Sequence, residues 1–411
     1  SVGNEVPTQC SDDGAAMAAW LRDICHREDP TRPVTAGMDQ VACTLENGFA
    51  AALDMPGLNY RTHKYHEAYD MLPQRVVLGS ETASAVSSRG VYKWPVEISG
   101  NATYPDHQSN AYEVESCAWA NIPEVDFALA DDFPWTMGQF VWTGFDYLGE
   151  PSPYNTDAWP SHSSLFGIID LASIPKDRYW LYRSQWRKDD HTLYVAPHWT
   201  HPGREGKITP VIAYTDFNEG ELWINGVSMG RCRKLSAVEA DSAVAAGDSL
   251  ALIRRYRLVW DYVVYTPGEI RVVAYDDAGR AAMEQTVRTA DTPYALSLSS
   301  SQSELTANAD ADRPLAYITV SVVDRDGNFC PDDLRLVEFE VKGQGRFRAA
   351  ANGDPTSLDP LQEPRMHLFS GRCTAIIEGI NADDADNPSG VVTVTAIASG
   401  LRKATLNIPV R

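Results

Sequence analysis

RVVLGSE, residues 75–81, decides how the first half of the chain is read. Val76, Val77 and Leu78 form a short strand-like apolar run. The run then ends on Ser80 and the carboxylate Glu81. In both directions the pattern recurs. SVGNEV at 1–6 contains Asn4 and Glu5, PVTAGMD spans 33–39, MPGLNY at 55–60 ends on Asn59 and Tyr60, and GQFVWTGFDYL spans 138–148. After the first run, Ser11 is a candidate N-cap, and Met17, Trp20, Leu21 and Ile24 recur with helical spacing. Strands alternating with helices predict parallel βα units over residues 1–192. Three of the runs carry polar or acidic residues at their carboxyl ends, the end where a (β/α)8 barrel places its chemistry. Five strand signals in about 190 residues fall short of the eight strands of such a barrel. The fold expected here is therefore the later part of one, with its front absent.

From about residue 193 the texture changes to short alternating strands. VIAYTD at 211–216, ELWINGVSMGR at 221–231 with the hairpin pair Asn225-Gly226, and YTPGEIRVVAYDDAGR at 265–280 predict an immunoglobulin-like β-sandwich over 193–292. Pro293 marks a linker. ITVSVVDRDGNFC at 318–330, LVEFEVKGQGRF at 336–347 and GVVTVTAIASGLRKATLNIPV at 390–410 predict a second sandwich over 293–411. No helical periodicity of any length is expected within 200–411.

The 411 residues include 35 basic and 56 acidic side chains, a net charge of -21, which would repel a phosphate backbone and excludes nucleic acid as the natural partner. No run of about 18 apolar residues predicts a membrane span, and no signal peptide is visible. Cys10, Cys25, Cys43, Cys117, Cys232, Cys330 and Cys373 are scattered and never form CxxC. They read as buried or incidental thiols, not as a disulfide framework or zinc site. No cofactor and no metal are expected.

Hydrolysis of a glycosidic bond with retention needs two carboxyl groups about 5–5.5 Å apart. Glu5 and Glu81, at the same edge of one sheet, are the candidates. SVGNEV, VVLGSETAS and GQFVWTGFDYLGEPSPY together resemble glycoside hydrolase family two, the family of β-galactosidases, β-glucuronidases and β-mannosidases. The resemblance implies that the barrel strands present are the fourth to the eighth, that Glu5 is the acid/base and that Glu81 is the nucleophile. It further implies that Asn4 binds the sugar 2-hydroxyl, Tyr60 hydrogen-bonds the nucleophile and Trp142 floors the sugar pocket. A strand-end amide, a half-buried phenol and a core indole are the plain alternatives for these three.

Asp146 and Glu150 could reach sugar hydroxyls or bind backbone amides, and His63 and His66 read as loop residues. The stretch YLGEPSPYNTDAWPSHSS at 147–164 lacks the lysine of the family's glucuronidase signature, and Ser84 stands where many β-galactosidases have a histidine. The resemblance thus points to an exo-acting β-galactosidase working on a β-linked oligosaccharide or glycan. A sibling specificity and an inactive carbohydrate-binding or scaffold piece are the alternatives. Its family also implies a periplasmic or extracellular home, and leaves a homo-oligomer open.

Overall fold

The computed structural model describes residues 1–155, 157–306, 314–380 and 390–411. Four strands, β1 (Gly37–Met38), β2 (Gly57–Asn59), β3 (Val77–Ala83) and β4 (Thr136–Trp142), lie parallel and in chain order in one sheet. Asn4 pairs in parallel with Gly37 on the outer side of β1. Glu5 N–H donates to the Gly37 carbonyl at 2.9 Å, and Gly37 N–H donates to the Gly3 carbonyl at 3.0 Å. The first element is therefore a single bridged pair, shorter than the strand expected over 1–6.

Helices α1 (Gly14–Glu28), α2 (Val41–Glu46), α3 (Tyr65–Met71) and α4 (Pro123–Asp132) fill the connections. The start of α4 is legible locally: Pro123 presets the first turn, and Glu124 and Asp126 meet the positive end of the helix dipole. Met38, Leu58 and Val77 of the sheet pack with Val41, Tyr65 and Ala68 of the helices. Each fully buried side chain of this kind contributes about 1.5–3 kcal/mol relative to exposure.

Three expectations are corrected in this region. Asp13, not Ser11, occupies the cap position of α1, and Ser11 Oγ donates instead to Asp13 Oδ1 at 2.6 Å. Of the apolar stripe, Met17 and Trp20 are 48% and 59% exposed, while the helix buries Ala18 against the core. The residues that α1 buries are thus small ones, Gly14 and Ala18. Cys10 and Cys43 form a disulfide, with Cα atoms 5.5 Å apart, well within the reach of the bond. The turn Pro7–Cys10 and α2 are neighbours in space, which a separation of 33 residues conceals. Among the described residues the five remaining cysteines are free. Among the described residues the sheet does not close on itself: β4 has only β3 as a neighbour, and its Met137 and Phe140 are 55% and 66% exposed.

Beyond α5 (Asp177–Trp186) come two sandwiches. In the first, a four-stranded sheet (227–233, 219–224, 269–275, 281–288) packs on a three-stranded one (258–260, 211–215, 193–196) around Trp199, Leu222, Leu258 and Ile270. Its hairpin turns at Asn225 and Gly226, whose φ values of 48° and 80° match the left-handed pair of a type I′ turn. This sandwich also holds two helices where none was expected, α6 (Ala237–Ala245) and α7 (Ala251–Tyr256). α6 buries only Ala240, so it has no apolar stripe to find. Its signal is a capping box, in which Ser236 Oγ accepts from Glu239 N–H while the Glu239 carboxylate accepts from Ser236 N–H. The second sandwich stacks strands 295–300, 315–323, 372–379 and 345–351 on 365–367, 336–343, 391–398 and 404–409, with Ile318, Val337, Ile377 and Val394 between them.

Buried arginines tie the parts together. Arg89 pairs with Asp170 at 2.6 Å and donates to the carbonyls of Asn352 and Phe369 in the second sandwich at 2.8 and 3.0 Å. Arg257 of the first sandwich pairs with Glu124 and donates to the carbonyls of Tyr112 and Glu113 at 2.7 Å each. Among the described residues no helix is long and apolar enough to cross a membrane.

Candidate active site

The carboxyl ends of the parallel strands frame a cavity of about 280 Å³. Asn4, Glu5, Tyr60, Glu81 and Trp142, the five residues singled out from the sequence, all line it. They arrive from four separate strand ends, because parallel pairing puts successive carboxyl termini on one side of the sheet. Glu5 and Tyr60 hold φ at 47° and 60°, and Ala83 and Ser84 just beyond Glu81 at 66° and 46°. Left-handed backbone of this kind costs about 1–3 kcal/mol per residue and persists where the surroundings over-determine it. These four positions lie at or just beyond three of the four strand ends that frame the cavity.

The side chains form one hydrogen-bonded array. Tyr60 OH donates to Glu81 Oε2 at 2.5 Å and Asn4 Nδ2 to Glu81 Oε1 at 2.8 Å. Asn59 Nδ2 donates to Asn4 Oδ1 at 3.0 Å and to Glu5 Oε1 at 2.9 Å, while Asn59 Oδ1 accepts from Ser80 Oγ at 2.6 Å. Asn59 is thus the hinge between the two carboxylates, a role not assigned from sequence although its place at a strand end was visible. Gly37 is the other missed participant. A Cβ there would lie 2.3 Å from Asn4 Oδ1 and 2.8 Å from Asn59 Oδ1, so only glycine lets the two amides meet.

Burial pushes the Glu81 carboxyl above the usual range, and the hydrogen bonds from Tyr60 and Asn4 oppose that push; the nearby charge of Glu5 adds to it. Desolvation, then the bond to Glu81, drives the Tyr60 phenol far upward, so it remains a donor at any working pH. Trp142 Nε1 donates to Tyr147 OH at 3.1 Å, and Tyr147 OH in turn donates to Glu150, which lines the cavity.

Asp146 resolves to the backbone alternative. It is buried, accepts from Gly167 N–H at 2.7 Å and pairs with Lys176 at 2.7 Å. His63 lies in the short turn Thr62–Lys64 and His66 on α3, not in a loop; the His66 ring packs edge-on against Phe133 and Trp135 at 4.4 and 5.2 Å. Asp39, Arg61, Ser84, Trp119 and Phe166 complete the cavity wall, and Arg61 Nη1 donates to the Trp119 carbonyl at 3.1 Å. Among the described residues no group of three His, Cys, Asp or Glu side chains is placed to hold a metal ion.

Comparison with known proteins gives concordant matches. Residues 296–407 match the model described as glycoside hydrolase family 2 C-terminal domain 5, and residues 206–283 match a domain of unknown function, DUF4982. The chain is 34% identical over 389 residues to a β-galactosidase of Bacteroides ovatus, covering 92% of this chain and 42% of that protein. It is 28% identical over 430 residues to a putative β-glucuronidase of Formosa agariphila, covering 97% of this chain and 37% of that protein. A β-glycosidase of Bacteroides vulgatus superposes with a TM-score of 0.75 at 27% identity, over 96% of this chain and 49% of that one. The chain therefore spans less than half the length of the relatives it matches.

Proposed function

The chain belongs to glycoside hydrolase family 2, and from that premise we propose that the enzyme carrying it is a retaining exo-β-glycosidase acting on terminal β-galactosides. The observation that carries the reading is the double donation onto Glu81, one oxygen held by Asn4 and the other by Tyr60, with Glu5 joined to the same array through Asn59. A carboxylate held in this way is aimed and stabilised in its charged form, as a nucleophile requires.

In the first step a Glu81 oxygen bonds to the anomeric carbon, the glycosidic bond breaks, and the Glu5 proton passes to the departing oxygen. In the second, Glu5 takes a proton from water, whose oxygen attacks the anomeric carbon and releases Glu81. Asn4 serves the 2-hydroxyl and Trp142 the apolar face of the ring. Two carboxylates and water suffice, so the reading includes no cofactor. The parallel sheet is read as strands four to eight of a (β/α)8 barrel in residues 1–192, followed by sandwiches at 193–292 and 293–411.

The charge of the cavity favours a neutral sugar. Among the described residues Glu5, Asp39, Glu81 and Glu150 face it, against the single cation Arg61. A uronic acid would bring a further negative charge into this field. The Cys10–Cys43 disulfide supports an oxidising, exported location. The full-length enzyme should be assayed in parallel on nitrophenyl β-galactoside, β-glucuronide and β-mannoside. We expect kcat/KM to favour the galactoside by about tenfold or more. A preference for either rival overturns the sugar assignment, and inactivity on all three overturns the reaction.

A further inference from the structure

A second cavity, of about 360 Å³, lies where all three parts of the chain meet, and it shares no lining residue with the catalytic cavity. Arg89 and Asp177 reach it from the parallel-sheet region, Arg288 from the first sandwich, and Phe329 and Arg372 from the second. Three guanidinium groups in one small space are unexpected in a chain of net charge -21. Two of them are answered, Arg89 by Asp170 at 2.6 Å and Arg288 by Glu269 at 2.6 Å.

Arg372 is not. Its Nε is buried without a hydrogen-bond partner among the described residues, and its guanidinium carbon stands 4.2 Å from the centre of the Phe329 ring. The one carboxylate lining the cavity among the described residues, Asp177, is engaged elsewhere, since it accepts from Tyr92 OH at 2.5 Å and from Tyr194 OH at 2.9 Å. Burial also pushes that carboxyl up to about 7, so near neutrality it carries only part of its charge.

We infer that this junction cavity binds a small oxyanion, a carboxylate or phosphate group on a molecule no larger than a monosaccharide, with Arg372 as its fork-like donor. The planar guanidinium of Arg372, which lines the cavity, matches either group with two parallel hydrogen bonds. Because residues from all three parts line the site, an occupant stabilises their assembly and raises resistance to unfolding.

The test is thermal unfolding of the full chain with sodium glucuronate, inorganic phosphate, neutral glucose, or sodium chloride at matched ionic strength. Glucuronate or phosphate should raise the midpoint saturably by about 2–4 °C, and the one that does so names the group. Arg372→Gln should weaken that binding about tenfold, and Arg372→Lys, which keeps the charge but loses the fork, should also weaken it. The Lys variant decides the matter if the Gln variant fails to fold. An equal shift with glucose or chloride, no shift with either anion, or an undiminished shift in the folded variant overturns the inference.

Discussion

Replacing Tyr60 by Phe removes one hydroxyl, and with it the 2.5 Å hydrogen bond to Glu81 Oε2. That carboxyl already sits above its ordinary range because of burial, and Tyr60 is the leading influence holding it down. A hydrogen bond to a charged group contributes about 1.5–3 kcal/mol. The cavity is open to solvent, which favours the lower end of that span, about 1.5 kcal/mol, or about one pH unit. The sign follows from the chemistry. A nucleophile must be ionised, so activity is lost as pH falls through the Glu81 pKa, and raising that pKa moves the loss to higher pH. The acidic limb of kcat/KM on an aryl β-galactoside should therefore shift upward by about one unit in the full-length variant. Below the limb the variant should be about tenfold slower, and on the plateau the deficit should shrink to whatever positioning is lost. Phe fills nearly the same space, so the unfolding midpoint should change little. An acidic limb that stays in place or moves downward, with the fold intact, would refute the reasoning.

Three further outcomes follow from the same geometry. Glu81→Gln should abolish turnover, because an amide does not displace the aglycone, and a 2-fluoro sugar should label Glu81 alone in the native enzyme; a label on another residue sinks the assignment. Glu5→Ala should slow substrates with poor leaving groups far more than activated aryl glycosides, and added azide should rescue it with retained configuration; an inverted azide product would contradict double displacement. Arg89→Ala should destabilise the fold by about 3–5 kcal/mol, because Asp170 is left charged and buried while the carbonyls of Asn352 and Phe369 lose their donor. Urea unfolding checks this, and a loss under about 1 kcal/mol would show that the junction is held by other contacts.

Much of the site was legible because strand-end chemistry is local. Glu5, Tyr60 and Glu81 each lie at the end of an apolar run, and a parallel sheet sends all such ends to one side, so the runs predicted their meeting, whereas the place of Trp142 came from the family resemblance. Asn59 and Gly37 were not legible, although both lie in the same runs. The function of Asn59 depends on reaching Asn4 and Glu5, over 50 residues away. Gly37 matters because of a steric gap of 2.3 Å to Asn4 Oδ1 that exists only once the strands pair. The Cys10–Cys43 bond was hidden for the same reason, and α6 was hidden because a helix that buries one alanine prints no apolar stripe.

What the sequence determined by itself is therefore the set of properties carried by periodicity and by residue type at a strand end. These are the alternation of strand and helix to about residue 190, the β texture that follows, the Asn225-Gly226 turn and the pair of carboxylates. Tertiary structure alone decided which groups share a proton, a charge or a wall. The Asn4–Asn59 amide bridge, the Arg89 clamp between the parallel sheet and the second sandwich, and the unanswered Arg372 at the junction all join residues far apart in the chain. Hydrogen bonds and ion pairs act over about 3–4 Å of space, and no spacing along the sequence encodes that distance until the elements have packed.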